Sequence, residues 1–261
     1  MYYIGFSTRL IGMRSDEDAV ALHTRSVVDA VEDAVRDRIL RGLEGEGATI
    51  TEAGVAAQFG VGRPTARMAL ERFVTDGILL RDGRRGLILR VMSRGDVIDL
   101  YESRTLIEAY VHAQLAAEAT VPAQASQQND MLRLAARRND AGAVVAADVA
   151  FHQQLVHAYG HSRITRMHAS LMAEAHVCMA RVQANQLLGA EEIADEHAEI
   201  LEAIGSGNSD RSRALTTWHL KHARDKLLGQ MFSEAADGGQ APITQKVEDP
   251  ASRADRGSEC G

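Results

Sequence analysis

From Asp96 to about Ala235 the chain keeps apolar residues at helical spacing, interrupted only at Thr120–Pro122, Asn139–Gly142, Tyr159–Ser162, near Gly189 and at Gly205–Ser209. The interruptions are short and rich in Gly, Pro, Asn and Ser, which stop helices and turn chains. The spacing predicts roughly six helices of about 14 to 26 residues, joined by tight turns and packed as an antiparallel bundle. Aromatic residues are 4% of the chain, which argues against sandwiches and barrels.

The first third reads differently. "VVDAVEDAVRDRIL" places Val27, Val28, Val31, Val35 and Ile39 on one stripe, which predicts a helix. A second helix is expected over Glu52 to Phe59, capped by Thr51 or Thr49, and a third over Arg63 to Thr75, closed by Gly77. Gly60-Val61-Gly62 turns the chain between them. "ILL" and "LILRV" then flank Arg81-Asp82-Gly83-Arg84-Arg85-Gly86, a hairpin pattern with Asp-Gly at its turn. The expected fold is therefore mainly α: an N-terminal winged helix-turn-helix followed by an all-α antiparallel helical bundle. Residues 1–25 lack a sustained period and read as an arm, 26–93 as the winged helix, 95–236 as the bundle, and 237–261 as a disordered tail.

Charge singles out the winged segment. The chain carries a formal net charge of −7, yet residues 50–94 hold eight arginines against Glu52, Glu71, Asp76 and Asp82, a net +4. Such a local reversal of sign suits phosphate contact. A recognition helix enters the major groove with its first turns, where Arg63 and Arg67 stand four apart, and Arg81, Arg84 and Arg85 sit on the hairpin. Met68, Leu70, Phe73 and Val74 are expected on the core side. The plainer alternative makes these arginines solvent-facing charges on a small module.

Two cysteines, Cys178 and Cys260, form no disulfide framework, so a reducing compartment, the cytoplasm, is expected. No apolar run approaches the ~20 residues that span a bilayer, which gives no expectation of a membrane partner. "MYYIGFSTRLIGMR" lacks the apolar core of a signal peptide, and Met13 is an alternative start to Met1.

The segment resembles the DNA-binding domain of GntR-family transcription regulators, through "ITEAGVA" at 50–56, "FGVGRPTARMALERFVTDGI" at 59–78 and Gly86. The resemblance implies that Arg63 and Arg67 are the principal DNA contacts and Thr65 a secondary one, with Arg84 and Arg85 at the wing and Gly86 letting its backbone approach. Three departures bear on operator choice: Gly62 replaces a serine, Pro64-Thr65 reverses the usual order, and Met68 replaces an acid.

Asp148 and His152, four apart, share a helical face and can bind one metal ion, or be two solvated side chains. His197 and His219 lie on later helices. Three imidazoles and a carboxylate suit a divalent transition metal, Zn²⁺ and also Ni²⁺, Fe²⁺ or Mn²⁺. Here too the chain is similar to a family pattern, the FCD effector domain of the FadR subfamily: "Glu102-x-Arg104-x-x-x-Glu108", Asp148 and His152, Glu196-His197 through Ile204, and His219-Leu220. That resemblance implies a metal on Asp148, His152, His197 and His219. It also offers Arg104 as the guanidinium that meets a small organic acid effector; the alternative is a helix-surface ion pair with Glu108. His157, His161, His168, His176 and His222 read as surface or packed histidines, with the lining of a pocket as the alternative, and Met167, Met172, Met179 and Cys178 as core or the apolar wall of a pocket. The implied protein is a ligand-responsive repressor, a homodimer on a double-stranded operator with two-fold half-sites. A metal-free regulator sensing an acyl-coenzyme A or other lipid-like ligand, and a metalloenzyme with an accessory module, are the alternatives; no H-E-x-x-H, G-x-S-x-G or phosphate loop supports an enzyme.

Overall fold

A computed structural model describes residues 26–83, 86–183 and 189–232. The expected arm and tail, and the wing arginines Arg84 and Arg85, lie outside these residues. The elements run α1 (Val27–Leu40), β1 (Thr49–Ile50), α2 (Glu52–Phe59), α3 (Arg63–Thr75), β2 (Leu79–Asp82) and β3 (Gly86–Leu89). Then come α4 (Arg94–Ala117), α5 (Ala123–Arg137), α6 (Ala141–Ala158), α7 (Ser162–Gln183), α8 (Ala190–Gly205) and α9 (Ser209–Phe232).

Local chemistry sets the helix limits. Ser26 and Asp29 form a capping box at α1, and Ser93 and Asp96 form another at α4; each satisfies amides that the first turn leaves unpaired. Thr51 caps α2 by accepting from the Gly54 amide at 3.0 Å. Gly60 ends α2 in the left-handed region, φ 64°, where a side chain would be strained. α3 starts from Gly62 without a side-chain cap, with Pro64 in its first turn, where a missing N–H is tolerated.

The strands form an antiparallel sheet in the order β1-β3-β2, with Asp82 opposite Gly86 and Thr49 opposite Ile88. Gly86 has φ 102°, so the return of the hairpin itself requires glycine. Val31, Val35 and Ile39 of α1 pack with Leu70 and Phe73 of α3 and with Leu79 and Leu89 of the sheet. Two apolar expectations for this unit fail. Val27 is 61% exposed, since it starts α1 beyond the stripe, and Met68 is 58% exposed, because it stands beside Arg67 on the outer face.

The bundle is held by α4 against α9, α5 against α6 and α6 against α7. Phe151, Leu155, Ile200 and Ile204 fill one part of its core, and Cys178, Ala175 and Leu220 another. Met167, expected inside, is 62% exposed, on the side of α7 that also carries the exposed Arg163 and Arg166. α7 also reaches the winged helix. Val177 belongs to the core of that unit, Arg181 pairs with Glu46, and Glu174 bonds Arg90 at 3.1 Å, while Arg90 holds Asp96 at 2.7 Å. A Cβ on Gly77 would stand 2.9 Å from the Glu174 carboxylate, so glycine there serves both its φ of 75° and the approach of α7.

Candidate functional site

Arg63 and Arg67 emerge from the first turns of α3 and are both exposed. They line a trench between α3, the start of α2 and the β2–β3 hairpin, together with Glu52, Glu71 and Gly86. Arg67 Nε lies 3.8 Å from Glu52 and 3.9 Å from Glu71, beyond hydrogen-bond length, so its donors stay available. Thr65 is half-buried beside them. Other arginines of the segment are engaged inside the protein. Arg72 is tied to Asp29 at 2.7 Å and to Glu32 at 2.6 Å, Arg81 to Glu71, and Arg90 to Asp96 and Glu174. The net +4 therefore overstates the charge this face presents; Arg63 and Arg67 are its described cationic tip.

Inside the bundle, α6 brings Asp148 and His152, α8 brings His197, and α9 brings His219 to one point. All four are buried, and one ligating atom from each lies within 4.8 Å of the others. His152 Nδ1 faces Glu108 at 2.6 Å, and His219 Nδ1 faces Glu196 at 2.6 Å. A carboxylate partner assigns the ring hydrogen to Nδ1 in each case, which leaves Nε2 as a bare lone pair. Those two Nε2 atoms face each other at 3.3 Å. Two lone pairs so placed repel unless a cation lies between them. His197 Nε2 stands 3.5 Å from Asp148 Oδ1, and neither nitrogen of that ring makes a hydrogen bond among the described residues. Ligand atoms about 2.0–2.1 Å from a tetrahedral ion are roughly 3.3–3.4 Å apart, so the spacings fit a transition metal. Burial pushes His152 and His197 down from the ordinary imidazole value, which favours the neutral, ligating form. Phe151 stacks on His197, ring centroids 3.7 Å apart, and fixes its plane.

Glu108 organises the groups behind this centre. It is fully buried and accepts from Arg104 Nε at 2.9 Å, His152 Nδ1 at 2.6 Å and His168 Nε2 at 3.0 Å. Burial alone would raise its carboxyl, but Arg104 and His152, with His168, hold it well below the usual range. The Arg104–Glu108 pair is thus a buried one, and the helix-surface alternative is corrected: the α4 face that carries it points into the bundle. Arg104 Nη2 has no partner among the described residues.

Residues 27–89 match the gntR family of bacterial regulatory proteins, and residues 99–222 match the FCD domain. This chain is a GntR-family transcription regulator with an FCD domain. The regulator is 26% identical over 216 residues to the gluconate operon transcriptional repressor of Bacillus subtilis (strain 168), covering 78% of this chain and 88% of that one. In fold it is similar to a putative GntR transcriptional regulator from Rhodococcus sp. RHA1, with TM-score 0.68, 23% identity and coverage of 77% and 97%. It is also similar to McbR/YncC of E. coli, with TM-score 0.69, 17% identity and coverage of 80% and 100%.

The sequence reading of this GntR-family regulator gave three residues no part in holding the centre. His168, read as ordinary, bonds Glu108. Glu196 holds His219 and, at 2.8 Å, His222. His112 was not singled out at all, and it is fully buried in the same face of α4 as Arg104 and Glu108. Its spacing carried the signal: Arg104, Glu108 and His112 recur every four residues, one polar stripe on a helix whose other faces are largely apolar. Among the described residues no helix is long and apolar enough to cross a membrane.

Proposed function

We propose that the regulator acts in the cytoplasm as a homodimeric repressor that releases a two-fold operator when a small carboxylate binds. Arg63 and Arg67, with Thr65 and the wing residues Arg84, Arg85 and Gly86, contact the DNA. Asp148, His152, His197 and His219 hold a divalent transition metal, with zinc, nickel, iron and manganese all compatible with the donor set. The ion, when bound, supplies a Lewis acid for one carboxylate oxygen. Arg104 offers Nη2 to the same anion, a charge-assisted bond that a buried, unpaired guanidinium favours. The observation that carries this reading is the pair of Nε2 lone pairs aimed at each other at 3.3 Å.

The sensor and the winged helix share α7: His168 touches Glu108 at one end, and Glu174, Val177 and Arg181 grip the winged helix at the other. A ligand that shifts α7 by its differential contacts changes how the two recognition helices are set. The dimer face we assign to α4 and α7, where Leu106 is 78%, Tyr110 44% and Met167 62% exposed. Relatives named as repressors support repression as the mode. Elemental analysis of protein purified without chelator is expected to give about one transition metal per chain, lost in His197→Ala. Metal-free wild-type protein would instead make the four residues a polar network in a metal-independent sensor.

A further inference from the structure

The buried face of α3 is made by Ala66, Ala69, Leu70 and Phe73. With about 100° between successive residues, the direction opposite those four passes within roughly 30° of Pro64, Met68 and Glu71. Arg67 lies about 70° round from it, on the flank that faces the trench. Arg72 lies as far round on the other flank, where Asp29 and Glu32 hold it. Arg63, Arg67 and Glu71 line the trench, whereas Pro64 and Met68 stand outside it. Glu71 is bonded to Arg81. The crest that α3 turns outward in its first two turns is therefore apolar: Pro64 and Met68, both exposed, four residues apart and one above the other. An isolated exposed methionine on an ordinary helix calls for no explanation. On a helix that enters the major groove the crest goes deepest, and Met68 there meets base edges.

The base edges in that groove are hydrogen-bond donors and acceptors, with one apolar group among them, the 5-methyl of thymine. A methionine pressed on a polar edge strips water from a group that it cannot satisfy, which costs affinity. Against the methyl, both surfaces leave water and affinity rises. We infer that Met68 is a specificity-determining residue that selects thymine by its 5-methyl group, with Pro64 extending the same apolar surface. This rests on the reading of α3 as a recognition helix held to DNA by Arg63 and Arg67. The two kinds of side chain divide the work: contacts to the backbone set the register, and the contact to a base edge carries sequence. Three rotatable bonds and a polarizable sulfur let Met68 follow the methyl. A contact between Met68 and a backbone sugar is the competing arrangement, and it is indifferent to the base.

The test begins with duplexes selected from a random-sequence library by the metal-loaded full chain. In the enriched sequence the thymines are replaced, one symmetric pair at a time, by deoxyuridine, which lacks only the methyl. Affinity is read by fluorescence anisotropy. One pair of positions is expected to stand out, with a loss of about fourfold per methyl and so about fifteenfold for the pair. In Met68→Ala that loss should vanish, and in Met68→Leu, which stays apolar, it should persist. Alanine favours an exposed helical position, so the first variant keeps the fold. Enriched DNA that binds equally well with deoxyuridine at every position, or a sensitivity that survives Met68→Ala, overturns the inference and leaves the arginine contacts standing. A library from which nothing is enriched removes the recognition-helix reading itself, and this inference with it.

Discussion

Replacing Glu108 by glutamine keeps the volume of the side chain and removes its charge. In the native chain that charge balances Arg104, which is 1% exposed, and accepts three hydrogen bonds between 2.6 and 3.0 Å. Removing one member of a buried pair costs about 3–5 kcal/mol, because the other stays buried without compensation. The glutamine oxygen still accepts one bond, so about 3 kcal/mol is expected. For a chain of this size, about 2–4 °C per kcal/mol puts the fall in Tm at roughly 6–12 °C. Denaturant unfolding followed by helical circular dichroism, with chelator present so that metal binding does not contribute, measures it. Arg104→Met should cost a similar amount, and the double variant should recover at least ~2 kcal/mol of the summed losses. A Glu108→Gln loss below about 1 kcal/mol, or additive losses in the double variant, would refute the claim that this ion pair sustains the interior of the helical domain.

Three other outcomes are expected. Arg67→Ala should reduce the log–log salt slope of promoter binding by about 0.9, the share of one phosphate contact; an unchanged slope, measured by fluorescence anisotropy, would take Arg67 off the backbone. Glu196→Gln should weaken metal affinity about 10- to 100-fold in a chelator competition, since Glu196 orients His219, and full affinity would assign it to the surface alone. Burial lifts the Glu174 carboxyl above 4.5, against the pull of Arg90. The folded chain therefore binds that proton more readily than the unfolded chain, and this group adds stability as pH falls through its raised value towards 4.5. Glu174→Gln should flatten that part of the stability–pH curve, and an identical curve would contradict the assignment.

The helices and their limits were largely legible, because caps and stops are local: Ser93, Thr51 and Gly60 act on residues within one turn. The convergence of Asp148, His152, His197 and His219 was visible only through family spacing, since no local rule says that α6, α8 and α9 meet. His168 stayed hidden for the same reason, since its partner Glu108 lies 60 residues away; His112 was legible as the third member of the four-residue stripe with Arg104 and Glu108, though its burial was not. Pairing of Arg72 with Asp29 and of Arg90 with Glu174 likewise spans 43 and 84 residues, so a count of charges along the chain exaggerated the cationic face. Met68 and Met167 show the reverse error. Apolar spacing tells which residues share a face, and not whether anything covers it.

The most direct test follows DNA from upstream of the regulator's own coding sequence by fluorescence anisotropy in dilute salt, while carboxylates are titrated against metal-loaded and chelated protein. The account predicts binding in both states and release by acid only when the metal is present. Failure to bind that DNA at all, or release that proceeds equally after chelation, would contradict it.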